Sequence, residues 1–489
     1  MMNNWMKMLG DHYQQARSQF PQDKLLILFD IDGTVLDMRH LILHLLKAYD
    51  RANDCHHAAG LILEDIQVHE NDITPLLNRM GLSKTEKGNL LDWFNEVVWS
   101  PLAVRVAHQP FQGVLEIIRW FQLQPNTYVG LNSGRSESLR SDTLQNLNRL
   151  GDAFKVQFSS NLVAMNSGAN TTEAIAAAKS LAISEYRRSG YRIVAMIDNE
   201  PANLAAIANS PGYDGFLLLH ADTLFESQRS LLPNTSLTGS NYRLAEMIDA
   251  DQVTTEQLPG HVEFVFQGLE QVSAANQFLQ GSIYWGEVSI QLGEQSLMPE
   301  ISTSSDADSA LIDGRELWMT LLRHVASCES SHGLKIDLKQ GGILLDKLLR
   351  DIRMVQLKQS QVWINAPMQR LQKRGFRKLR AALPNAILQC PVDSLETVIC
   401  ALPEQADQIL SELQSWGIDR FSVDWSKGGK ALTEALQRRD YDVNIHSMPD
   451  LDSFLQASLL LPTSISSSFN SDQWPLAKPV KESANHYAA

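Results

Sequence analysis

The chain of 489 residues is longer than one compact core usually accommodates, because typical domains contain about 100–200 residues, and it predicts two or three units. It has 42 Lys and Arg residues against 56 Asp and Glu residues, a formal net charge of -14, which argues against nucleic acid or an anionic membrane as an obligatory partner. Four cysteines without a C-x-x-C pair exclude a disulfide framework, and without a signal peptide or a run of about 18 apolar residues we expect a cytoplasmic protein with no membrane span.

The first half of the chain alternates predicted strands with predicted helices. A short apolar strand at 25–29 is followed by a mainly helical segment at 38–108, in which apolar residues recur every three or four positions. This alternation favours an α/β fold with a parallel sheet covered on both faces. Later strands are predicted at 127–131, 156–158, 192–197 and 215–219, with helices at 113–123 and 172–189.

A polar stretch rich in Thr, Ser and Asn separates the two halves. The second half has seven strand candidates in about 200 residues, which favours a β/α barrel of the TIM type, with an irregular loop at 296–314. Its strand candidates are 262–266, 283–292, 334–338, 362–365, 386–390, 420–423 and 443–445. The predicted organisation is an N-terminal extension (1–22), a first domain (23–230), a linker (231–260), a second domain (261–465) and a flexible tail (466–489).

The segment FDIDGTVLD, residues 29–37, is the most informative in the sequence. Because side chains alternate along a strand, Asp30 and Asp32 project to the same side where the strand ends. Gly33 and Thr34 then allow a sharp turn that presents N–H groups to an anion. Two carboxylates so close repel each other unless a cation lies between them, and Mg²⁺ suits that position. One carboxylate can attack phosphorus while the other moves the proton of the leaving group.

This segment resembles the first motif of the haloacid dehalogenase superfamily, D-x-D-G-T-x-x-D, at every specified position. The resemblance implies a Rossmann-like doubly wound core over about residues 23–230, with a helical cap at about 38–108. It also implies a Mg²⁺-dependent phosphatase acting on a small phosphorylated substrate. Asp30 would be the nucleophile, Asp32 the general acid/base, Asp37 a supporting residue, and Gly33 and Thr34 would contact the substrate.

The later motifs of the superfamily have counterparts in order along the chain. Ser133 in TYVGLNSGR would hold the phosphoryl group together with Gly134 and Arg135. The metal ligands implied by the resemblance are Asp30, Asp32, Asp198 and Asn199. Asn199 departs from the aspartate that many members have, although the carboxy-terminal-domain phosphatase branch has D-N-x-P here. The motif lysine is assigned to Lys179, because its distance upstream of Asp198 fits superfamily members with a short connecting helix, with Lys155 as the competing candidate.

The second half has polar residues at the ends of several predicted strands, which in a β/α barrel converge on one mouth. The candidates for a site there are Glu287, Asp337, Lys339 and Asn365. The segments W-G-E-V, L-K-I-D-L-K and W-I-N resemble the menorin-like branch of phosphodiesterase barrels, which is related to glycerophosphodiester phosphodiesterases. Gln267 stands where that family has a catalytic histidine, and glutamine does not shuttle protons near neutral pH.

The favoured hypothesis is therefore a phosphomonoester hydrolase whose second domain binds a ligand. The alternatives are a regulatory or scaffolding protein that binds phosphorylated ligands, and a bifunctional phosphodiesterase and phosphatase.

Overall fold

The computed structural model of the protein describes residues 5–169, 171–223, 231–248, 262–281, 283–294, 296–302, 313–327, 332–448 and 450–467. The chain divides into two compact units, with the division between residues 249 and 250. None of the helices in these ranges combines the length and the apolar composition needed to cross a membrane.

The first unit is a six-stranded sheet in which every neighbouring pair of strands is parallel. Two further short strands pair with each other in a separate antiparallel ribbon. The strands are β1 (Lys24–Phe29), β2 (Leu36–Asp37), β3 (Gln109–Pro110), β4 (Thr127–Ser136), β5 (Val163–Asn166), β6 (Tyr191–Asp198), β7 (Leu217–Ala221) and β8 (Leu237–Gly239). The helices are α1 (Trp5–Gln19), α2 (Met38–Asn53), α3 (Thr74–Arg79), α4 (Lys84–Val97), α5 (Pro101–Val106), α6 (Val114–Leu123), α7 (Arg140–Gly151), α8 (Thr172–Arg188), α9 (Pro201–Ala208) and α10 (Leu244–Met247).

The strand order β5-β4-β1-β6-β7-β8 reverses direction at β1. Because parallel crossovers are right-handed, such a reversal brings helices to both faces of the sheet, and the crevice beside the reversal is where ligands bind in open α/β sheets. One face is packed by α8, whose Ile183 lies in a core cluster with Leu26 and Leu28 of β1. The α/β class predicted for this half of the chain is confirmed.

The segment 38–108 forms the helices α2 to α5 and returns to its starting point. Its two ends are joined by the antiparallel ribbon of β2 and β3, where Leu36 pairs with Pro110. Helix α2 begins at Met38 and is capped by Asp37, whose side chain accepts a hydrogen bond from the backbone N–H of Arg39. The helical segment is thus an insertion directly after the FDIDGTVLD motif.

Three features of this unit differ from the sequence predictions. The extension 1–22 contains α1, which packs against β6, β7 and β8 through buried residues that include Trp5. The predicted strand 156–158 is irregular, because the N–H of Phe158 bonds the side chain of Asn148 and does not join the sheet, and β5 follows instead. The predicted linker contains β8, which extends the sheet, so the first unit continues beyond residue 230.

The second unit contains a closed barrel of eight parallel strands, with a ninth strand antiparallel to β10. The barrel order is β9-β10-β12-β13-β14-β15-β16-β17-β9, which confirms the predicted β/α barrel. The strands are β9 (Glu263–Phe266), β10 (Trp285–Leu292), β11 (Pro299–Ile301), β12 (Gly333–Leu338), β13 (Val362–Asn365), β14 (Ile387–Pro391), β15 (Arg420–Asp424), β16 (Asp442–His446) and β17 (Ser464–Ser467). The helices are α11 (Val272–Gln280), α12 (Gly314–Ser327), α13 (Ile343–Met354), α14 (Met368–Ala382), α15 (Glu396–Ala401), α16 (Pro403–Ser415), α17 (Gly429–Gln437) and α18 (Leu451–Leu459).

The strand that closes the barrel, β17, is absent from the sequence prediction, which began the flexible tail at residue 466. Its sequence SISS alternates one apolar residue with serines, and the side chains of Ser464 and Ser466 both donate hydrogen bonds to Asn444 on β16. A strand whose inward face is polar lacks the apolar run on which the prediction depended. Strand β11 lies inside the predicted loop 296–314, of which 303–312 fall outside the described residues, as do 468–489 of the predicted tail.

Candidate active site

The predicted residues of the first unit gather at the carboxyl edge of its parallel sheet. Asp30 follows β1 directly and donates its backbone N–H to the carbonyl of Ile197 at 2.8 Å, which ties it to the end of β6. Asp198 is the last residue of β6. Ser133 lies on β4 two residues beyond Leu131, the partner of Phe29 on β1, so it reaches the same edge.

Lys179 connects the two central carboxylates. Its Nζ donates to Oδ1 of Asp30 at 2.5 Å and to Oδ2 of Asp198 at 2.6 Å, and its side chain is 2% exposed. It projects from α8, which crosses between β5 and β6 and packs on β4 and β6. The competing candidate, Lys155, is a half-buried residue with a φ of 54° at the end of the 3₁₀ helix Asp152–Phe154.

The environment of Asp30 strongly favours its neutral form when no cation other than Lys179 is near. Burial raises the pKa of Asp30 to about 8, with Lys179 acting in the opposite direction and the charges of Asp198 and Asp32 reinforcing the rise. Burial lowers the pKa of Lys179, but the two aspartates outweigh that effect, so the lysine stays charged. A further positive charge at this position would therefore stabilise the ionised Asp30.

The side chain of Asp32 faces Arg135 and not Asp30. Arg135 donates through Nε to Oδ2 at 2.7 Å and through Nη2 to Oδ1 at 2.6 Å, a bidentate pair. Burial raises the pKa of Asp32, but the charge and hydrogen bonds of Arg135 outweigh it and hold that pKa below its usual range. The arginine that was predicted to bind phosphate therefore forms an ion pair with the second aspartate of the motif.

The amide of Asn199 lies beside oxygen atoms of the motif. Its terminal atom on that side is 2.9 Å from the backbone carbonyl oxygen of Asp32, 3.2 Å from Oδ2 of Asp30 and 3.3 Å from Oγ1 of Thr34. With nitrogen on that side the amide donates to these oxygens. With oxygen on that side it accepts from the Thr34 hydroxyl, and the oxygen atoms of Asn199, Asp30 and Asp32 face one another, an arrangement that a cation stabilises. Oxygen ligands of an octahedral Mg²⁺ at about 2.1 Å are separated by about 3 Å, so the spacing fits the ion.

The donor set for a metal therefore differs in detail from the predicted one. Asp32 offers its backbone oxygen there, while its carboxylate is engaged with Arg135. Asp198 accepts hydrogen bonds from Asn203 and from the backbone N–H of Glu200, which fix its orientation beside Lys179. Across the described ranges, no three His, Cys, Asp or Glu side chains are grouped as a metal site would require. A metal here would be held by carboxylate, amide and backbone oxygens together.

The predicted phosphoryl-binding residues lie in the last part of β4, where the pairing with β5 is irregular between Asn132 and Ser136. Ser133 is buried, and its Oγ accepts a hydrogen bond from the backbone N–H of Arg135 at 3.1 Å. A Cβ on Gly134 would lie 2.9 Å from the side chain of Ile175 on α8, so the close packing of this part of β4 on that helix favours glycine. In the FDIDGTVLD motif, Gly33 has a φ of 80°, a left-handed conformation that glycine adopts without strain.

Residues of the helical insertion also reach the site, and the sequence analysis did not identify them. His69 lies between Glu200, at 3.1 Å from Nε2, and Glu70, at 3.2 Å from Nδ1. Burial lowers the pKa of His69, but Glu200, Glu70 and Asp32 outweigh burial and raise it to about 9. Sequence pattern offered no signal for His69, because its partner Glu200 is 131 residues away.

The second unit brings its candidate residues together in two groups, the first of which is buried. Glu287 on β10 accepts hydrogen bonds from Lys335 and from Gln267, both at 3.1 Å. Lys335, 1% exposed, also donates to Ser466 at 2.7 Å, and sequence analysis did not select it. The ion pair holds the pKa of Glu287 below its usual range against the effect of burial.

The second group lies toward the carboxyl ends of the strands. Asp337 pairs with Lys339 at 2.6 Å and accepts from Asn365 at 2.8 Å, while Asn365 accepts from Gln389 at 3.0 Å. His446 ends β16, and burial followed by the charge of Lys335 lowers its pKa. An imidazole is therefore present in the barrel, although not at the position of Gln267.

Comparison with known proteins gives structural neighbours only. No family model matches the chain, and no curated protein does. A phosphodiesterase from Oleispira antarctica, solved with sn-glycerol-3-phosphate as product, is 12% identical over 45% of this chain and 98% of its own, with a TM-score of 0.34. A glycerophosphodiester phosphodiesterase from Parabacteroides distasonis is 8% identical over 44% of this chain and 95% of its own, with a TM-score of 0.32.

A third neighbour, classed as a haloacid dehalogenase-like hydrolase from Burkholderia xenovorans, is 16% identical. It matches 47% of this chain and 98% of its own, with a TM-score of 0.29. Likeness at these TM-scores carries no functional conclusion, so the function is inferred from the residues themselves.

Proposed function

We propose that the first unit is a haloacid dehalogenase-like phosphatase that hydrolyses small phosphomonoesters through a phosphorylated Asp30. The observation that carries the proposal is the contact of Lys179 with both Asp30 and Asp198 at the carboxyl edge of the sheet. When both carboxylates are ionised, the buried lysine between them leaves one negative charge in excess, and a cation that arrives with a phosphoryl group compensates that charge and favours the ionised Asp30.

In the first half-reaction an oxygen of Asp30 attacks phosphorus, and the bond between phosphorus and the leaving-group oxygen breaks. Lys179 holds Oδ1 of Asp30 and compensates its charge. The hydroxyl of Ser133 and the backbone N–H groups that follow it receive the phosphoryl oxygens. Asp32, two residues beyond the nucleophile, must carry a proton when the substrate binds in order to pass it to the leaving oxygen, and the negative charge of the phosphoryl group beside it favours that protonated form.

In the second half-reaction water attacks the phosphorus atom of the acyl phosphate and regenerates the Asp30 carboxylate. Asp32, left ionised by the first half-reaction, takes the proton from that water and carries it into the next turnover. The lowered pKa of Asp32 favours the ionised form that this step requires.

The residues that would hold Mg²⁺ are Asp30, Asp198 and Asn199 together with the backbone carbonyl of Asp32. When bound, the ion compensates the charge of the phosphoryl group and lowers the pKa of Asp30. The chain's own contribution is to hold the Asn199 amide about 3 Å from Oδ2 of Asp30 and from the backbone oxygen of Asp32.

The proposal is tested by phosphate release from a panel of phosphomonoesters, with Mg²⁺ or with EDTA. We expect turnover that EDTA abolishes and that Asp30→Asn reduces by at least about 10³-fold, since the substitution removes the nucleophile. Turnover that is unchanged in Asp30→Asn would contradict the proposal. Arg188→Gln, a substitution at a surface arginine whose side chain is 70% exposed, is the matched control and should leave turnover unchanged.

A second proposal concerns the barrel, which we propose binds a small phosphorylated or polyol ligand. Several buried polar atoms in its interior have no hydrogen-bond partner among the described residues: Oε1 of Gln389, Oγ of Ser422 and Nδ2 of Asn444. Buried polar groups without partners are unfavourable, so a ligand or ordered water is expected to satisfy them.

Calorimetry with sn-glycerol 3-phosphate tests the second proposal, with Lys335→Met as the variant and Arg188→Gln as the control. Binding to the wild type that Lys335→Met weakens would support it, and equal binding by both would contradict a site in the barrel. Release of p-nitrophenol from bis(p-nitrophenyl) phosphate, lost in a His446→Gln variant, would instead identify the barrel as a phosphodiesterase.

A further inference from the structure

The buried pair of Asp32 and Arg135 assigns a role to the arginine that its sequence position does not predict. Resting on the proposed phosphatase function, we propose that Arg135 is a positioning residue that fixes the place of the Asp32 carboxylate for its proton transfer, and that it does not bind the phosphoryl group. The distinction matters because an arginine beside a phosphoryl-binding serine would ordinarily be assigned to the phosphate.

The contacts of Arg135 account for all three nitrogens of its guanidinium group. Nε and Nη2 donate to the two oxygens of Asp32, Nη1 donates to Oγ1 of Thr143 at 3.1 Å, and Nη2 also meets Nε2 of His108 at 3.0 Å. The side chain is 1% exposed. A planar fork that is held on every nitrogen and buried is fixed in place, and a substrate would have to break several of these bonds to recruit it.

His108 is suited to hold the arginine because it is an acceptor at one nitrogen. Its Nδ1 lies 3.1 Å from the carbonyl oxygen of Val104, so Nδ1 carries the proton and Nε2 presents a lone pair to Arg135. Burial and the charge of Arg135 lower the pKa of His108 to about 3, which keeps the imidazole neutral. The ring of Trp99 lies over the guanidinium, with its centroid 5.6 Å from Cζ.

His108 and Trp99 both belong to the end of the helical insertion, and Thr143 belongs to α7. The insertion therefore supports Arg135, and Arg135 in turn fixes Asp32 with both carboxylate oxygens held. Loss of this support should disturb the step in which Asp32 moves a proton, and should leave phosphate binding largely intact. The disturbance should be greatest for leaving groups that need protonation.

The experiment compares an alkyl phosphate, whose leaving group requires a proton, with p-nitrophenyl phosphate, whose leaving group does not. For Arg135→Gln we expect kcat to fall about 10²-fold or more with the alkyl phosphate, within the range of general acid catalysis, and less than about 10-fold with p-nitrophenyl phosphate. Inorganic phosphate, measured by calorimetry in the presence of Mg²⁺, should bind Arg135→Gln within about threefold of the wild-type affinity, because the arginine makes no phosphate contact.

A second pair of variants keeps the test valid if Arg135→Gln fails to fold. His108→Leu removes the acceptor from Arg135, whereas His108→Gln retains one, so the same difference between substrates should appear in His108→Leu and be largely rescued in His108→Gln. Arg188→Gln should behave as the wild type with both substrates.

Two results would overturn the inference: a loss of phosphate affinity greater than about 10-fold in Arg135→Gln, or equal losses of kcat with the two substrates. Absence of turnover from the folded wild type with every phosphomonoester would count against the proposed function. In that case phosphate calorimetry still decides the role of Arg135, because retained affinity supports positioning and lost affinity overturns it.

Discussion

Replacing Lys179 with methionine should destabilise the first unit as well as inactivate it. The substitution keeps a long side chain but removes the charge that lies 2.5 Å from Asp30 and 2.6 Å from Asp198. The two carboxylates are then buried without their shared partner. Burial already raises the pKa of Asp30 to about 8, and loss of the lysine charge should raise it further.

The size of the effect follows from the burial of all three groups. Removing one partner of a buried ion pair destabilises a protein by about 3–5 kcal/mol, since the remaining charge is left uncompensated. In a unit of about 250 residues, each kcal/mol lowers the melting temperature by about 2–4 °C, so a fall of roughly 6–20 °C is expected. Adding Asp198→Asn should recover part of it, because that change removes one of the two repelling carboxylates.

The assay is thermal unfolding of the full chain in EDTA, followed by circular dichroism, with attention to the first transition. Lys155→Met is the matched control, since it removes the competing lysine of the sequence analysis from a half-buried position, and it should lower the melting temperature by less than about 4 °C. The assignment of Lys179 to the carboxylate cluster would be refuted if Lys179→Met melted at the same temperature as the wild type. It would also be refuted if Lys155→Met lowered the melting temperature as much as Lys179→Met.

Three further predictions follow from single contacts. His69→Gln should remove about 1–2 kcal/mol of stability below about pH 6.5 and progressively less as pH rises toward about 9, because the partly exposed His69 stabilises the fold only while its imidazole is charged. Urea unfolding at several pH values measures this difference, and a difference that does not depend on pH would contradict it. Gly33→Ala should cost about 1–2 kcal/mol, because a φ of 80° strains any residue with a Cβ, and should reduce phosphate release more than the loss of folded protein explains. Glu287→Gln should destabilise the second unit by about 2–4 kcal/mol in the same unfolding assay, because Lys335 is left buried without its carboxylate. Phosphate release by the first unit should stay unchanged, and a loss of that activity would contradict the independence of the two units.

The central residues of the site could be predicted from the sequence because each lies in a recognisable local sequence pattern. A strand of apolar residues followed by D-x-D-G-T places Asp30 at the end of β1, and Asp198 ends β6 by the same logic. Parallel strands bring such positions to one edge whatever their separation in sequence. The lysine was selected by its distance upstream of Asp198, and the structure places it between the two aspartates.

The contacts that could not be predicted from the sequence are those between segments far apart in the chain. Asp32 and Arg135 are 103 residues apart, and nothing in either segment indicates that the arginine selects the aspartate over a phosphate. His69 reaches Glu200 only because the helical insertion folds back over the sheet edge. Such pairs depend on tertiary packing, which local periodicity does not encode.

The errors in element boundaries have a common physical cause. Strand β8 has the sequence LTG and β17 the sequence SISS, and neither contains an apolar run, although β8 extends the first sheet and β17 closes the barrel. Conversely, the apolar residues Val156 and Phe158 are buried without forming a strand. Burial and strand formation are separate properties, and the pattern of apolar residues reports mainly the first.

The most direct test of the central claim is to trap the phosphorylated enzyme. Wild-type protein and Asp30→Asn are mixed with a phosphomonoester carrying radioactive phosphate and Mg²⁺, quenched in acid during turnover, and digested for peptide mapping. The account predicts an acid-stable, alkali-labile label on the peptide that contains Asp30 in the wild type and no label in Asp30→Asn. Phosphate release without any labelled peptide, or a label that persists in Asp30→Asn, would contradict Asp30 as the nucleophile.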